Sequence, residues 1–173
     1  MSLRHAPIGL LREGPASGYD LIQIFTASLG TVWPATRSQI YTEPARLADA
    51  GLVTVTARGP RGRKEYAPTA TGLAELRRWL LATTPEAHPR SELLLRVFLL
   101  GGVTRGQVRD YLGWVRARAE EDVIALGILH DTIDWGDGET DLLLYGRLVL
   151  EFGRRLSELT RDWTDWATEQ IIG

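Results

Sequence analysis

The 173-residue sequence contains no cysteine, and this absence excludes several kinds of chemistry. Disulfide bonds, thiol catalysis and zinc sites with cysteine ligands all require that side chain. A chain without cysteine also fits a reducing compartment such as the cytoplasm. We therefore expect neither a disulfide-stabilised fold nor a thiol enzyme.

Long apolar runs are missing as well. The longest, Leu93–Leu100, is interrupted by Arg96, whereas a membrane-spanning helix needs about 20 mainly apolar residues. Close to the N-terminus, the run Ile8–Leu11 is too short for the core of a signal peptide. These features predict a soluble cytoplasmic protein with no membrane partner.

Motifs of catalysis and metal binding are also absent. No histidine has a carboxylate or nucleophile at a spacing typical of a catalytic site. The histidines are His5, His88 and His130. Residues 59–64, GPRGRK, lack the spacing of a phosphate-binding P-loop, and Gly136 occupies a ligand position in the only stretch that resembles a calcium loop. We expect no enzyme, no metal site and no cofactor.

Charge is divided unevenly along the chain. Residues 1–82 carry 10 Arg plus Lys against 6 Asp plus Glu, whereas residues 83–173 carry 10 against 16. The overall charge of −2 therefore combines a basic half with an acidic half. A basic half that approaches phosphate and an acidic half that stays away from it would suit a two-part DNA-binding protein.

The stretch 36–51, TRSQIYTEPARLADAG, predicts a helix with one exposed polar face. Thr36 and Gln39 form a capping-box pattern at its start. Helical spacing places Ile40, Pro44 and Leu47 on one side, and Ser38, Thr42 and Ala45 on the other. Short polar side chains can enter the DNA major groove and bond to base edges. An ordinary solvated helix face remains the alternative.

The flanking segments favour a DNA-binding helix. Two short helices are predicted before it, at 3–12 and 17–30, which gives three helices in the order of a helix-turn-helix core. After it, residues 52–68 predict a two-stranded hairpin with a glycine-rich tip. The tip carries four cations that would neutralise phosphates, although a solvated basic loop is the alternative. These cations are Arg58, Arg61, Arg63 and Lys64.

The domain boundary is predicted after one further helix, which Thr69 or Thr71 caps. Residues 83–90, TTPEAHPR, contain two prolines and no helical period. We therefore predict a winged helix-turn-helix domain at 1–82, a linker at 83–90 and a C-terminal helical dimerisation domain at 91–173. The fold class is mainly α with a small β-hairpin wing.

The C-terminal half predicts three helices. The first, Leu93–Leu100, is apolar nearly all round and is expected to be buried. Thr104 and Gln107 open a long amphipathic helix. The last helix has the heptad spacing of a coiled-coil seam. That seam comprises Tyr145, Val149, Phe152, Leu156, Leu159, Trp163 and Trp166. We expect a second copy of the chain to cover it, with an intramolecular helical hairpin as the alternative.

Aromatic residues concentrate in this half, and such side chains suit a flat apolar ligand. Tyr111, Trp114 and Trp163 are candidate contacts for a small aromatic effector. Such side chains more often belong to an ordinary hydrophobic core, which is the alternative.

Several segments resemble the PadR-type winged-helix transcriptional regulators. The similar segments are LLREGPASGYDLIQ, SQIYTEPARLADAGLV and GRKEYAPTATGLAELRRWL, and residues 91–172 resemble the longer branch related to virulence activators. The resemblance implies a homodimer that represses transcription at a pseudo-palindromic operator on double-stranded DNA. It also implies release by a small, often aromatic, effector. A winged-helix adaptor that binds only proteins is the alternative.

By position, the resemblance places Tyr41 against DNA and starts the base-reading turn at Ser38 and Gln39. The full predicted DNA-contact set is Thr36, Arg37, Ser38, Gln39, Tyr41, Thr42, Arg46, Arg58, Arg61, Arg63 and Lys64. Pro44 departs from the family pattern, which usually has a helix-forming residue at this position. A proline inside a helix removes one backbone hydrogen bond, so we expect a bend there.

Overall fold

The computed structural model describes residues 3–30, 33, 35–85, 91–136 and 140–172, except for the side chains of Ser28, Arg61 and Ile172. The chain divides into two compact units, Met1–Pro85 and Glu86–Gly173. Residues 86–90 of the predicted linker lie outside the described residues.

The first unit is a winged helix-turn-helix fold. Its elements are α1 (His5–Leu10) with a 3-10 turn (Leu11–Glu13), β1 (Ala16–Ser17), α2 (Gly18–Ser28), α3 (Arg37–Asp49), β2 (Val53–Arg58), a 3-10 turn (Pro60–Gly62), β3 (Lys64–Pro68) and α4 (Ala70–Ala82). The strands form an antiparallel sheet in the order β1-β3-β2. This confirms the predicted fold class, with one addition. The sequence indicated only the β2–β3 hairpin, because a two-residue strand is too short to show an alternating pattern.

Side-chain caps begin α2, α3 and α4. The capping box predicted at Thr36 is present, and Ser17 forms a second one; each hydroxyl accepts a hydrogen bond from the third helical amide. Of the two candidates for α4, Thr69 is the cap. Its hydroxyl also donates to the carbonyl oxygens of Gly51 and Leu52, at 2.7 and 3.1 Å. The cap therefore joins α4 to the residues that precede β2.

The core of the first unit is dense. Its most deeply buried side chains come from α1 and the 3-10 turn after it, from α2 and α3, and from β2. They are Ile8, Leu11, Leu21, Phe25, Pro44, Leu47 and Val53. Helix α4 lies so close to the start of β2 that a Cβ atom at Gly72 would be 1.9 Å from the Leu52 carbonyl oxygen. Only glycine fits at that position.

The second unit contains helices in its described part. They are α5 (Glu92–Phe98) with a 3-10 turn (Leu100–Gly102), α6 (Arg105–Thr132) and α7 (Asp141–Ile172). Helices α6 and α7 form an antiparallel hairpin whose buried side chains are Val108, Leu112, Val115, Ala119, Leu126, Leu150, Thr164 and Ala167. Ion pairs between the helices join Arg116 to Asp165 at 2.6 Å and Arg161 to Glu120 at 3.7 Å. The apolar stripe of α6 is therefore covered within the chain.

The prediction that the segment Leu93–Leu100 is buried was wrong. No residue of α5 is buried, and Phe98 is 85% exposed. A short helix with apolar residues all round is buried only where neighbouring elements surround it. In the described part of the second unit, α5 lies at the surface, with Leu93 and Val97 half-buried.

Candidate nucleic-acid interface

Helix α3 separates its residues as the periodicity predicted. Ile40, Pro44 and Leu47 are buried, whereas Ser38 and Thr42 are exposed. The other exposed positions on the helix and its cap are Thr36, Arg37, Gln39, Tyr41, Ala45 and Arg46. The polar face contains small and medium side chains, so a helix of this kind can reach the floor of a major groove.

Hydrogen bonds within α3 determine which groups it offers outward. The Gln39 Oε1 atom accepts from the Thr36 backbone N–H at 2.9 Å and from the Thr36 hydroxyl at 3.1 Å. The Gln39 side chain therefore presents its amide N–H groups, which donate. The Thr42 hydroxyl donates to the Ser38 carbonyl oxygen at 2.9 Å, which leaves its oxygen as an acceptor. The face thus offers neighbouring donors and acceptors for base edges.

Pro44 does not end the helix. Helix α3 continues across it to Asp49, and the Pro44 ring is fully buried. Arg46 consequently stays on the exposed face, where its guanidinium lies 3.6 Å from the Glu43 carboxylate. The bend expected at Pro44 stays a prediction.

The Tyr41 ring rests on the start of α2. A Cβ atom at Gly18 would be 3.3 Å from Tyr41 Cδ2, so the absence of a side chain at Gly18 lets the two helices approach. Tyr41 is nevertheless 61% exposed. Close to it, burial raises the pKa of the Tyr66 hydroxyl, with a further rise from Tyr41 and an opposing effect of Arg58. The sequence did not indicate the roles of Gly18 and Tyr66, because both are tertiary contacts.

The wing presents paired cations. Arg58 and Lys64 lie opposite each other across the β2–β3 ladder, and both are exposed. Like charges at opposite positions destabilise a sheet unless an anion compensates them. Within the described part of the chain, neither cation has an ion pair. The side chain of Arg61 lies outside the described residues.

Arg63 differs from the other wing cations. Its guanidinium Nη2 donates to Asp20 Oδ2 at 2.9 Å and lies 3.6 Å from Glu65 Oε1. The sequence prediction grouped Arg63 with the phosphate-binding cations, because nothing in a linear pattern connects it to a carboxylate 43 positions away.

An open groove of about 880 Å³ runs along the outer side of α3. Ser38, Gln39, Thr42 and Arg46 line it together with residues that the predicted DNA-contact set did not include, among them Arg4, Trp33 and the acid Glu43. The proximity of Arg4 adds a cation beside the polar face.

The predicted seam on α7 remains largely at the surface of the second unit. Phe152 and Leu159 are 67% and 64% exposed. Tyr145, Leu156 and Trp166 are also more than half exposed, whereas Val149 and Trp163 are half-buried. Helix α7 therefore has two apolar faces, and α6 covers only one of them.

The three effector candidates do not all meet at one place. Tyr111 and Trp114 line a cleft of about 540 Å³ between α5, α6 and α7, and their rings lie 6.2 Å apart. Arg96 and Arg118 also line this cleft. Trp163 instead packs against the buried cluster of Val108, Leu112 and Ala167, which Tyr111 also contacts.

Two histidines contact a carboxylate, which the sequence did not indicate: His130 Nδ1 lies 3.1 Å from Asp131 Oδ1, and His5 contacts Glu75. The buried His5 ring stacks on Trp79 at 4.5 Å, and its Nε2 lies 3.3 Å from Glu75 Oε1. These contacts join α1 to α4. Among the described residues, no group of His, Asp and Glu could hold a metal ion, and no helix is long and apolar enough to cross a bilayer.

Comparison with known proteins agrees with this geometry. Residues 8–78 match the transcriptional regulator PadR-like family, and residues 89–171 match the virulence activator alpha C-terminal family. A probable transcriptional regulator of Mycobacterium tuberculosis, Rv1176c, is 31% identical over 99% of this chain and 98% of its own length. The chain belongs to the PadR-like family of transcriptional regulators.

Other members of the PadR-like family give further detail. The negative transcriptional regulator PadR of Bacillus subtilis is 36% identical over 112 residues, which cover 62% of this chain and 62% of that protein. The crystal structure of that PadR with operator DNA has a TM-score of 0.83 at 27% identity, covering 99% of both chains. Its structure with p-coumaric acid has a TM-score of 0.85 at 26% identity, covering both chains completely.

Proposed function

We propose that this protein is a homodimeric DNA-binding transcriptional repressor that a small aromatic effector releases from its operator. The exposed polar face of α3 beside the uncompensated pair Arg58 and Lys64 is the observation that carries the proposal. Cations that neutralise phosphates supply affinity and register, while base-edge contacts supply specificity. The B. subtilis relative, whose structure was solved with operator DNA, supports this assignment.

The chemistry of α3 indicates how bases would be read. Gln39 donates from its amide group because its oxygen is occupied by Thr36, and Thr42 accepts at its hydroxyl oxygen because its proton is donated to Ser38. In the major groove, guanine and thymine offer acceptors, whereas cytosine and adenine offer amino donors. Ser38 and Tyr41 complete the proposed reading surface, with Thr36, Arg37 and Arg46 at its ends.

The exposed face of α7 supports dimerisation. Apolar residues repeat there at heptad spacing, and most of them are exposed among the described residues. A second copy would bury both stripes at once and create a two-fold axis. Such a dimer brings two α3 helices to successive major grooves about 34 Å apart, which requires a pseudo-palindromic operator.

The cleft beside Tyr111 and Trp114 supports an aromatic effector. Its two arginines, Arg96 and Arg118, are paired with acids of their own helices, and its aromatic rings offer a flat apolar surface. The B. subtilis PadR structure with p-coumaric acid supports a ligand of this class. A ligand shifts the protein toward release only if it binds the released form better.

The experiment measures binding to the DNA upstream of the protein's own gene at several salt concentrations. Arg58→Ala with Lys64→Ala should weaken binding to every sequence and reduce the slope of log affinity against log salt by about 0.9 per lost phosphate contact. Gln39→Ala should instead weaken only the specific site. Arg77→Ala on α4, an exposed cation outside the interface, is the control for lost charge.

The same assay separates a regulator from a protein-binding adaptor. An adaptor would show no salt-dependent shift of any genomic DNA, and its Arg58 and Lys64 variants would behave as the wild type. Repression is tested with a reporter under the same promoter, since deletion of the gene should raise expression. Release is tested by adding aromatic acids to the complex while tryptophan fluorescence is recorded.

A further inference from the structure

In the protein without DNA, the Arg63 side chain already contacts two carboxylates. It lies between the Asp20 carboxylate at 2.9 Å and the Glu65 carboxylate at 3.6 Å. Two acids at these distances already compensate its charge. A phosphate that bound Arg63 would have to displace these two carboxylates, so the ion pair it formed would replace one that was lost. A phosphate that bound Lys64 would displace no ion pair of the described residues.

Asp20 is itself fixed in place. Its Oδ2 atom accepts from the Ser17 backbone N–H at 2.9 Å and from the Ser17 hydroxyl at 2.7 Å. These bonds, followed by Arg63, hold the pKa of Asp20 below its usual value. Ser17 is buried and pairs with Glu65 in the sheet, so it belongs to both β1 and the cap of α2. The acceptor for Arg63 is therefore a carboxylate that Ser17 holds in position and whose charged form is favoured.

The backbone of Arg63 closes the tip of the wing. Its carbonyl oxygen accepts from the Gly59 N–H at 2.7 Å, and its own N–H donates to the Pro60 carbonyl oxygen at 3.3 Å. Gly62, just before it, has a φ of +79°, a value that favours glycine. Arg63 thus joins the wing tip through its backbone to the start of α2 through its side chain.

We propose that Arg63 and Asp20 are positioning residues of the DNA interface, whose ion pair holds the wing at a set position relative to α2. In this arrangement Arg58 and Lys64 meet the phosphates, and Arg63 contacts none. The inference rests on the proposed DNA-binding function. It changes the role of Arg63 from a phosphate contact to an internal support.

The test compares Arg63→Ala, Asp20→Asn, the double variant and Lys64→Ala in the full-length protein. Lys64→Ala, the neighbouring cation, should reduce the salt slope by about 0.9. Arg63→Ala and Asp20→Asn should each lower affinity about threefold, the size expected for a surface ion pair, and keep the wild-type slope. The double variant should lose no more than either single variant, because both remove the same contact.

A second measurement needs no DNA. Amide hydrogen exchange at Gly59, Gly62 and Lys64 should be faster in both single variants, because the wing tip loses its attachment. Asparagine at position 20 can still accept from the Ser17 donors, so the change reports the ion pair rather than the helix cap. Arg63→Lys keeps the positive charge, so exchange at these amides should be slower in Arg63→Lys than in Arg63→Ala.

Two results would overturn the inference. If Arg63→Ala reduced the salt slope as much as Lys64→Ala while Asp20→Asn tightened binding, Arg63 would be a phosphate contact that Asp20 restrains. Additive losses in the double variant, with unchanged exchange at the wing, would also contradict it. A wild-type protein that binds no DNA would instead contradict the proposed function, and the exchange data would still test the ion pair.

Discussion

The two units bury their apolar side chains to very different extents. In the first, residues such as Phe25, Ile8 and Leu21 are almost completely enclosed, whereas the second encloses only Leu112 and Thr164 to that degree among its described side chains. The second unit also exposes Phe98, Phe152, Leu159 and Trp166. The first unit has a densely packed core, while the second leaves a row of large apolar side chains on α7 exposed, a pattern that can mark an interaction surface.

The difference fits the two functions proposed for the units, DNA binding by the first and pairing with a second copy by the second. A DNA-binding surface needs rigid placement, because base contacts depend on small differences in distance and angle. A surface that pairs with another copy needs exposed apolar area instead. The dense core behind α3 and the open face of α7 meet these two requirements separately.

The largest expected effect follows from charging the α7 seam. Phe152→Glu places a carboxylate in the apolar face and should convert a dimer into monomers in analytical ultracentrifugation at micromolar concentration. Because two half-sites are then no longer held together, operator affinity should fall by about 100-fold or more. Ile124→Glu, at a 55% exposed position on α6 outside the seam, is the matched control. A dimer that survives Phe152→Glu would show that the seam is not the interface.

The next largest effect tests how tightly the core of the first unit is packed. Gly72→Ala would place a Cβ atom 1.9 Å from the Leu52 carbonyl oxygen, and backbone cannot move aside as a flexible side chain can. We expect a loss of about 1 to 3 kcal/mol or more in the free energy of unfolding. Thermal and urea unfolding followed by circular dichroism would measure it.

The second unit should respond oppositely to the same kind of change. A Cβ atom at Gly113, in the middle of α6, would have no neighbour within 4 Å. Gly113→Ala should therefore stabilise the helix by about 0.5 to 1 kcal/mol, since glycine is a poor helix former. Equal destabilisation by Gly72→Ala and Gly113→Ala would remove the contrast between the two units.

Local signals carried most of what could be predicted. The Thr36 box and the inward side of α3 depend on residues three or four apart, a spacing that periodicity detects directly. The positions of Ser38 and Thr42 on the exposed face followed from the same argument. The heptad stripe of α7 likewise predicted an apolar face that includes Phe152 and Leu159, and both side chains are exposed.

What could not be predicted lies in contacts between distant segments. His5 and Glu75 are 70 positions apart, and Asp20 and Arg63 are 43 apart. No spacing rule relates such pairs. The surface position of α5 was missed for a related reason, because a helix pattern states which side is apolar but not which neighbours exist to cover it. For the same reason, the sequence could not show that Arg63 is paired with a distant carboxylate whereas Lys64 is not.

The smallest expected effect concerns the ion pairs that order the surface of α7. Arg154 and Arg155 donate to Glu151, which lowers the pKa of that carboxylate to about 2 from an ordinary value of 4.5. A lowered pKa means that the folded protein prefers the charged form. The contribution to stability is therefore present above about pH 4.5 and is lost as pH falls toward 2.

Titration of the Glu151 carboxyl by NMR should give an apparent pKa near 2. Arg154→Gln should raise that pKa more than Arg155→Gln does, because Arg154 makes the larger contribution. The stabilities of the wild type and Glu151→Gln should differ slightly at neutral pH and converge in acid. The difference should stay small because exposed ion pairs are screened by water. If the pKa of the Glu151 carboxyl were found at its ordinary value of 4.5, these ion pairs would not order this part of α7. Apolar packing would then order it, as it orders the first unit.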